Sequence, residues 1–181
     1  MIHDFSVIEQ DEDVKIVVET MGGVRPAYDF VKASLLAGKH VVTSNKALVA
    51  ACGTELLQIA RDKGLNFLFE ASVGGGIPLI RPLTGALAGE RIVEISGILN
   101  GTTNYILTKM AKEGQTFEEA LRKAQELGYA ERNPESDVEG YDTCRKISIL
   151  TALATGREVN YEDVYTEGIT AVTDTDFRYA A

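Results

Sequence analysis

The sequence holds little of what several large classes of protein require. Its 18 Lys and Arg residues are outnumbered by 27 Asp and Glu, which gives a formal net charge of −9. Because nucleic-acid binding depends on clustered basic side chains, this balance argues against a nucleic-acid partner. The longest stretch without a charged residue, 14 residues from Ile95 to Thr108, is too short and too polar to cross a bilayer. The chain does not begin with a basic segment and an apolar run, so we expect no secretory signal.

Cysteine and histidine are also scarce. The two cysteines, Cys52 and Cys144, form neither a CxxC pair nor a disulfide framework, and the only histidines are His3 and His40. With 45% hydrophobic and 25% charged residues, the composition is that of an ordinary globular domain. A chain of 181 residues can bury one good core or two small ones. We therefore expect a globular cytoplasmic protein.

The first 70 residues alternate between strand and helix patterns. Residues 15–19 and 40–43 are short runs rich in β-branched side chains, typical of buried strands. Between them, Pro26 suits the first turn of a helix and Gly38 suits its end. A strand, a helix and a strand within about thirty residues predict a parallel sheet. A helix over 46–63, broken near Gly53, and a strand over 66–70 continue the pattern of a doubly wound α/β domain.

After residue 70 the pattern changes to one of helices with little strand. A glycine-rich turn at 74–76 precedes a predicted helix, and further on a polar turn at 100–104 leads into another. The sequence predicts helices over 78–87, 105–112, 117–127 and 137–155, a loop over 129–136, strands over 92–99 and near Val164, and a helix from Thr173. The fold class is therefore α/β: a parallel sheet within residues 1–70, followed by an α+β domain over 71–181.

Two polar segments follow the first two predicted strands. Met21, Gly22 and Gly23 come after one strand, and Asn45 and Lys46 after the next. In parallel sheets this edge binds ligands, and glycines there let a ring or phosphate approach the backbone. A tight turn and a solvated lysine at a helix start would leave the same pattern. The dinucleotide fingerprint GxGxxG is absent from the sequence.

Glu70 stands directly before the glycine-rich turn that ends at Ile77. One carboxylate and several freed carbonyls are hard oxygen ligands, which suit an alkali or alkaline-earth ion. A plain strand-to-helix turn explains the same residues.

Acidic residues dominate the segment from Glu113 to Asp142, with nine acids against three basic residues. A solvated helix face explains much of this excess. It explains less well why Glu131, Asp137 and Asp142 gather near one loop, and neighbouring carboxylates there suit recognition of an amino group. Asp142 and Lys146 stand four residues apart on a predicted helix. They form either a surface ion pair or a catalytic lysine held by a carboxylate.

Four segments carry a resemblance to a known family. They read VVTSNKAL at 41–48, EASVGGGIP at 70–78, GILNGTTNY at 97–105, and LGYAE at 127–131 running on to Lys146. In this order they resemble homoserine dehydrogenase over nearly the whole chain. The resemblance implies an NAD(P)-dependent oxidoreductase that interconverts L-homoserine and L-aspartate 4-semialdehyde, on the route to threonine, methionine and isoleucine. It also implies a homodimer or homotetramer, with residues 1–70 as part of a Rossmann-like cofactor domain and 71–181 as part of the catalytic domain.

The resemblance also assigns roles to individual residues. Lys146 resembles the proton donor to the aldehyde oxygen, and Lys46 resembles the lysine at the junction of cofactor and substrate. The implied substrate ligands are Glu131, Asp142, Asp137 and Tyr129. The implied cofactor contacts are Met21, Gly22, Lys46 and Gly128, with NADP or NAD as the cofactor. The implied sodium ligands are Glu70 and the carbonyls of Val73, Gly75 and Ile77.

The sequence departs from that family in lacking the glycine-rich first strand–turn–helix that holds a pyrophosphate. The other end of the chain also stops where the family continues, so we expect a shortened piece that is inactive by itself. An alternative is a non-catalytic module that dimerises or binds ligand without turnover. A semialdehyde dehydrogenase working through a thiolate is disfavoured, because neither Cys52 nor Cys144 belongs to a histidine motif. The sequence does not separate NAD from NADP.

Overall fold

The computed structural model describes residues 3–180 and forms three strands, nine α-helices and two short 3₁₀ helices within them. The strands are β1 Ile16–Glu19, β2 His40–Thr43 and β3 Phe67–Leu68. The α-helices are α1 Ser6–Gln10, α2 Ala27–Leu36, α3 Lys46–Asp62, α4 Ile80–Thr84, α5 Gly101–Glu113, α6 Phe117–Glu126, α7 Glu135–Val138, α8 Tyr141–Thr155 and α9 Asp174–Ala180. The 3₁₀ helices are Glu70–Ser72 and Tyr161–Asp163.

The chain divides into two compact units. One holds the chain up to Ile95 together with Arg145–Asp163, and the other holds Ser96–Cys144 together with the chain from Val164 onward. A domain boundary at residue 70 stays a prediction. Across residues 3–180, no helix combines the length and the apolar character needed to span a membrane.

The first unit is built on a parallel sheet in the order β1–β2–β3, as the strand–helix–strand pattern predicts. Val17 pairs with Val41, and Val41 pairs with Phe67, so these residues share one side of the sheet. Helices α2 and α3 pack against the sheet and each other, and they bury Val31, Leu35, Leu48 and Leu56. The α/β class and the Rossmann-like character of this half are confirmed.

The second unit is helical among its described residues. Its core forms where α5 packs on α6, and it contains Ile106, Met110, Ala120, Ala124, Ala130 and Val138. Helix α6 begins with a capping box, in which Thr116 accepts from the Glu119 N–H while the Glu119 carboxylate accepts from the Thr116 N–H. Small residues on α6 let the two helices approach closely.

Two glycines behave differently from the sequence predictions. Helix α3 runs unbroken through Gly53, because that glycine is buried and keeps a helical backbone beside Val49. The predicted helix over 137–155 is instead divided at Gly140, which has φ +84°. There the N–H of Ile169 bonds to the carbonyl of Val138 at 2.8 Å, and the carbonyl of Glu167 lies 2.9 Å from the position a Cβ on Gly140 would take. A distant segment therefore causes the break.

The predicted strands over 92–99 and near Val164 are wrong, because within the described chain neither segment has a strand partner. Val93 is 89% exposed and Ile98 is 76% exposed, so the apolar pattern there covers no core in this structure. Three other elements change length. Strand β3 stops at Leu68, α4 covers only Ile80–Thr84, and α5 begins at Gly101 within the segment predicted as a polar turn.

Candidate functional site

A hydrogen-bonded network closes the carboxyl edge of the sheet in the first unit. Strands β1 and β2 end at the paired residues Glu19 and Thr43. The hydroxyl of Thr43 accepts from the Asn45 N–H at 2.9 Å, and the Asn45 side-chain amide donates to the carbonyl of Gly23 at 2.7 Å. The Asn45 side chain also caps α3 by accepting from the N–H of Leu48. Buried polar contacts thus fix the loop after β1 to the start of α3.

The predicted cofactor residues of the first unit meet at this edge. Met21 is 39% exposed, and apart from Gly22 and its two chain neighbours no heavy atom of the described chain lies within 4 Å of the place a Cβ on Gly22 would occupy. Lys46 is half-buried and is the first residue of α3. An open backbone beside a helix start and a cation fits a phosphate- or ring-bearing cofactor. The fourth predicted contact, Gly128, follows α6 in the second unit and has φ +77°.

The second unit holds an acid pair joined by one amide. The side-chain nitrogen of Asn100 donates to Asp137 Oδ1 at 2.7 Å and to Asp142 Oδ2 at 2.9 Å. Asp142 is 2% exposed and Asn100 is 6% exposed. Within residues 3–180, no group of three or more His, Cys, Asp and Glu side chains is placed to hold a metal ion. Two neighbouring carboxylates can accept hydrogen bonds from an ammonium or a hydroxyl group.

Two other predicted substrate residues lie on the loop near this pair. The hydroxyl of Thr102 donates to the carbonyl of Tyr129 at 2.7 Å and lies 3.2 Å from Asp137 Oδ2. The Tyr129 side chain is 59% exposed and its ring lies 5.1 Å from that of Tyr105. The Glu131 carboxylate is exposed and makes no hydrogen bond or ion pair within the described residues. The structure thus holds Tyr129 by its backbone and leaves Glu131 accessible.

Helix α8 carries both members of the predicted catalytic pair. Asp142 lies in its first turn and is buried, and Lys146 is half-buried one turn later. Nothing in these positions contradicts a shared role, which stays a prediction.

Glu70 caps the start of α4. Its Oε1 accepts from the N–H groups of Leu79 and Ile80 at 2.8 and 3.0 Å, and its Oε2 accepts from the N–H of Arg81 at 2.8 Å. The carboxylate therefore stabilises a strand-to-helix turn. Val73 is fully buried, whereas Ile77 is 66% exposed. The sodium ion at this turn stays a prediction.

The first unit also has a pocket of about 490 Å³ between α3 and α8. Its lining includes Cys52, Ser148 and Arg157 but none of the predicted site residues. Burial, followed by the charge of Glu55, raises the pKa of the Cys52 thiol. A raised pKa disfavours the thiolate and so argues against Cys52 as a nucleophile.

Sequence reasoning missed two residues that organise these sites, Glu19 and Asn100. Glu19 sits in an apolar strand run where nothing singles it out. Asn100 fell in a segment interpreted as a polar turn. An asparagine just before an apolar helical pattern is the usual signal of an N-cap, and Asn100 does cap α5 by accepting from the N–H of Thr103.

Comparison with known families gives two matches in chain order. The profile described as "Homoserine dehydrogenase, NAD binding domain" matches residues 2–70, and the profile described as "Homoserine dehydrogenase" matches residues 78–181. The homoserine dehydrogenase of Synechocystis is 50% identical over 177 residues, which cover 98% of this chain and 41% of that protein. That of Bacillus subtilis is 48% identical over 97% of this chain and 40% of its own length. The chain thus spans about two fifths of these relatives.

Solved structures agree with the sequence matches. A homoserine dehydrogenase from Thiobacillus denitrificans superposes with a TM-score of 0.92 at 45% identity, over 98% of this chain and 41% of that one. A mutant homoserine dehydrogenase from a hyperthermophilic archaeon, in complex with NADPH, gives a TM-score of 0.86 at 32% identity, over 97% of this chain and 53% of that one. At these identities the likeness extends beyond fold alone.

Proposed function

This chain belongs to the homoserine dehydrogenase family, and we propose that the complete polypeptide containing it interconverts L-homoserine and L-aspartate 4-semialdehyde with NAD(P). The observation that carries the proposal is the acid pair Asp137 and Asp142, held by one buried amide within a family motif. Homoserine offers an ammonium group and a hydroxyl group, and both are partners of carboxylates.

The substrate is recognised by acids of the second unit. Asp142 is buried and oriented, and Asp137 accepts from the same amide and lies near the hydroxyl of Thr102. We assign Glu131 and Asp142 to the amino and hydroxyl ends of homoserine, with Asp137 supporting the pocket and Tyr129 forming part of its wall. The Glu131 carboxylate is exposed, and no hydrogen bond or ion pair within the described residues has to break before it binds a ligand.

The cofactor contacts are Met21, Gly22 and Lys46 in the first unit and Gly128 in the second. The open backbone at Gly22 and the capped start of α3 support this assignment. When bound, the nicotinamide ring accepts or donates the hydride. The relative bound to NADPH supports NADP as one cofactor, and rates with both cofactors under equal conditions decide the preference.

Two lysines neutralise or stabilise the negative charge that develops on the substrate oxygen. As the aldehyde becomes an alcohol, its oxygen gains negative charge and needs a proton. Lys146 donates that proton as a general acid, and Lys46 adds positive charge that stabilises the developing oxyanion. In the reverse direction Lys146 takes up the proton of the homoserine hydroxyl.

The experiment is a steady-state assay of the complete polypeptide with homoserine and NAD(P)+, followed by formation of the reduced cofactor. We expect Asp142→Asn to lower kcat/KM for homoserine at least about tenfold, because a charged hydrogen bond contributes about 1.5–3 kcal/mol. The matched control is Glu118→Gln, at an exposed acid on α6. Saturable homoserine binding without any turnover would contradict the proposal and favour a non-catalytic module.

Sodium at the turn after Glu70 is a separate part of the proposal. A carboxylate has about four lone-pair directions, and Glu70 uses three for backbone N–H groups. One direction and the carbonyls of Val73, Gly75 and Ile77 then remain as hard oxygen donors. Crystals grown with Tl⁺ in place of Na⁺ should show an anomalous peak at this turn, and its absence at saturating Tl⁺ would count against the site.

The remaining assignments rest on the family resemblance. We infer a homodimer or homotetramer in the cytoplasm, acting in threonine, methionine and isoleucine biosynthesis. Sedimentation equilibrium of the complete polypeptide tests the first point, and growth of a deletion strain without these three amino acids tests the last.

A further inference from the structure

We propose that Asn100 is a positioning residue that holds Asp137 and Asp142 in the arrangement that binds an amino-acid substrate. The inference rests on the proposed function, since that function supplies the substrate. Asn100 itself is not one of the proposed substrate ligands.

The geometry gives the side chain of Asn100 two separate tasks. Its oxygen accepts from the N–H of Thr103 at 2.9 Å and caps α5. Its nitrogen carries two hydrogens, and these go to two different carboxylates, at 2.7 Å to Asp137 and at 2.9 Å to Asp142. Every hydrogen-bonding group of this buried amide is therefore used.

Electrostatics explains why such a bridge is needed. Two carboxylates bonded to one nitrogen atom are close neighbours, and at short range like charges in a poorly solvated site repel strongly. An amide with one N–H for each of them offsets part of that repulsion without adding charge. A lysine or arginine in place of Asn100 would instead add positive charge beside both acids.

The cap of α5 holds the amide in place. Because the side-chain oxygen is engaged by Thr103, the nitrogen must point to the other side, where Asp137 and Asp142 lie. The short helix α7 brings Asp137, and the first turn of α8 brings Asp142. One side chain thus sets the relative position of acids from two helices.

Two variants separate the capping of α5 by Asn100 from its hydrogen bonds to the two acids. Asn100→Asp keeps the shape and the cap oxygen but replaces the donating nitrogen by an oxygen of a third carboxylate. Asn100→Ser also keeps a good N-cap, and it removes the bridging amide without adding charge. Thr116→Ala is the matched control, because it removes the N-cap of α6 in the same unit without touching the acids.

The kinetic readout is the separation of KM from kcat in the complete polypeptide. Asn100→Ser should raise KM for homoserine by about 10- to 100-fold, the loss expected for hydrogen bonds to charged groups. The kcat should change less than KM, because the bridged acids hold the substrate and do not themselves transfer the proton. Asn100→Asp should be at least as severe. Thr116→Ala should lower Tm and leave KM within about twofold of the unchanged protein.

Each result decides between a positioning role and a purely structural one. If both Asn100 variants fold and keep KM within twofold, with only Tm reduced, Asn100 is a helix cap alone and the proposal is wrong. If the variants do not fold, nitrogen–proton NMR of the unchanged protein provides the test. It follows the side-chain amide signals of Asn100. They should shift at saturating homoserine while those of Asn160 do not, and unmoved Asn100 signals would overturn the proposal.

The proposed function and this inference fail in different ways. A protein that neither binds nor turns over homoserine refutes both. If the protein turns over homoserine but neither KM in the Asn100 variants nor the Asn100 amide signals change, only the role of Asn100 is refuted.

Discussion

Thr43 and Glu19 are joined by a hydrogen bond across neighbouring parallel strands, in which the Thr43 hydroxyl donates to Glu19 Oε2 at 2.5 Å. Both side chains are buried, Glu19 at 4% exposure and Thr43 at 2%. The other carboxylate oxygen accepts from the N–H of Met21 at 2.6 Å. One buried carboxylate therefore ties the ends of two strands to the loop that we assign to the cofactor.

Replacing Glu19 by Gln should loosen this loop. The variant turns one acceptor oxygen into an N–H donor, which then faces either the Thr43 hydroxyl or the Met21 N–H. We expect the free energy of unfolding to fall by about 1–3 kcal/mol and NAD(P)H to bind more weakly. Urea unfolding and cofactor fluorescence measure the two effects. Glu9→Gln, at an exposed position of α1, is the control, and equal behaviour of the two variants would contradict the prediction.

Lys146→Ala should reduce kcat of the complete polypeptide by about 10²–10⁴, the usual loss when general acid–base help is removed. KM for homoserine should change much less, because the proton is needed mainly in the transition state. Lys123→Ala is the control, since Lys123 is an exposed partner of Glu126 at 3.0 Å. A near-normal kcat with only a small loss of stability would mean that Lys146 has a structural role.

Lys46 should affect activity more than a lysine at the other end of the same helix. It is the first residue of α3, at the sheet edge that we assign to the cofactor. Lys46→Ala should lower kcat, because the variant lacks the positive charge that stabilises the developing oxyanion. Lys63→Ala, at the other end of the same helix, should slightly lower Tm and leave kcat unchanged.

Combining Lys46→Ala with Lys146→Ala extends this test. The double variant should lose less activity than the product of the two single losses, because residues that act as a unit are not additive. Fully multiplicative losses would indicate independent roles.

An ion pair on the first unit should make stability depend on pH. Lys32 Nζ donates to Glu55 Oε1 at 2.7 Å, and the hydroxyl of Tyr28 donates to the same carboxylate. The hydrogen bond from Lys32, then that from Tyr28, lowers the pKa of Glu55. A lowered folded-state pKa gives stability that is present above the unfolded pKa of about 4.3 and is lost as pH falls through the folded pKa.

Glu55→Gln tests this dependence. The unfolding free energies of Glu55→Gln and the unchanged protein should differ by a constant amount between about pH 6 and 9 and should converge as the pH falls below about 4. Both groups are exposed, so the difference should be small and should shrink with added salt. If the difference in unfolding free energy instead grew toward acid pH, the predicted direction of the pH dependence would be wrong.

Gly168 should tolerate no side chain. A Cβ there would lie 2.6 Å from the carbonyl oxygen of Val138 and 2.8 Å from the Cα of Glu139, so the backbone itself would have to move. We expect Gly168→Ala to lower the free energy of unfolding by about 1–3 kcal/mol. Gly97→Ala is the control, because apart from Gly97 and its two chain neighbours no described heavy atom lies within 4 Å of its added Cβ. Thermal unfolding of both variants checks the difference.

The location of the candidate cofactor site was predictable, because it depends on where the strands end. The pattern of β1 and β2 places residues 21–23 and 45–46 at one sheet edge by the rule for parallel strands, and the structure brings them together there. The acids Asp137 and Asp142 were recognisable as a cluster. Their bridge was not, because the contact with Asn100 joins residues 37 and 42 positions apart.

The sequence by itself determined the elements whose signals are local. Strand β2 at His40–Thr43 and helix α2 follow from side-chain periodicity and from the glycine that ends the helix, which act over a few residues. Only the tertiary structure decided the break at Gly140 and the absence of a strand over 92–99. The break depends on backbone contacts from residues 167–169, and a strand needs a hydrogen-bonded partner that local periodicity cannot supply.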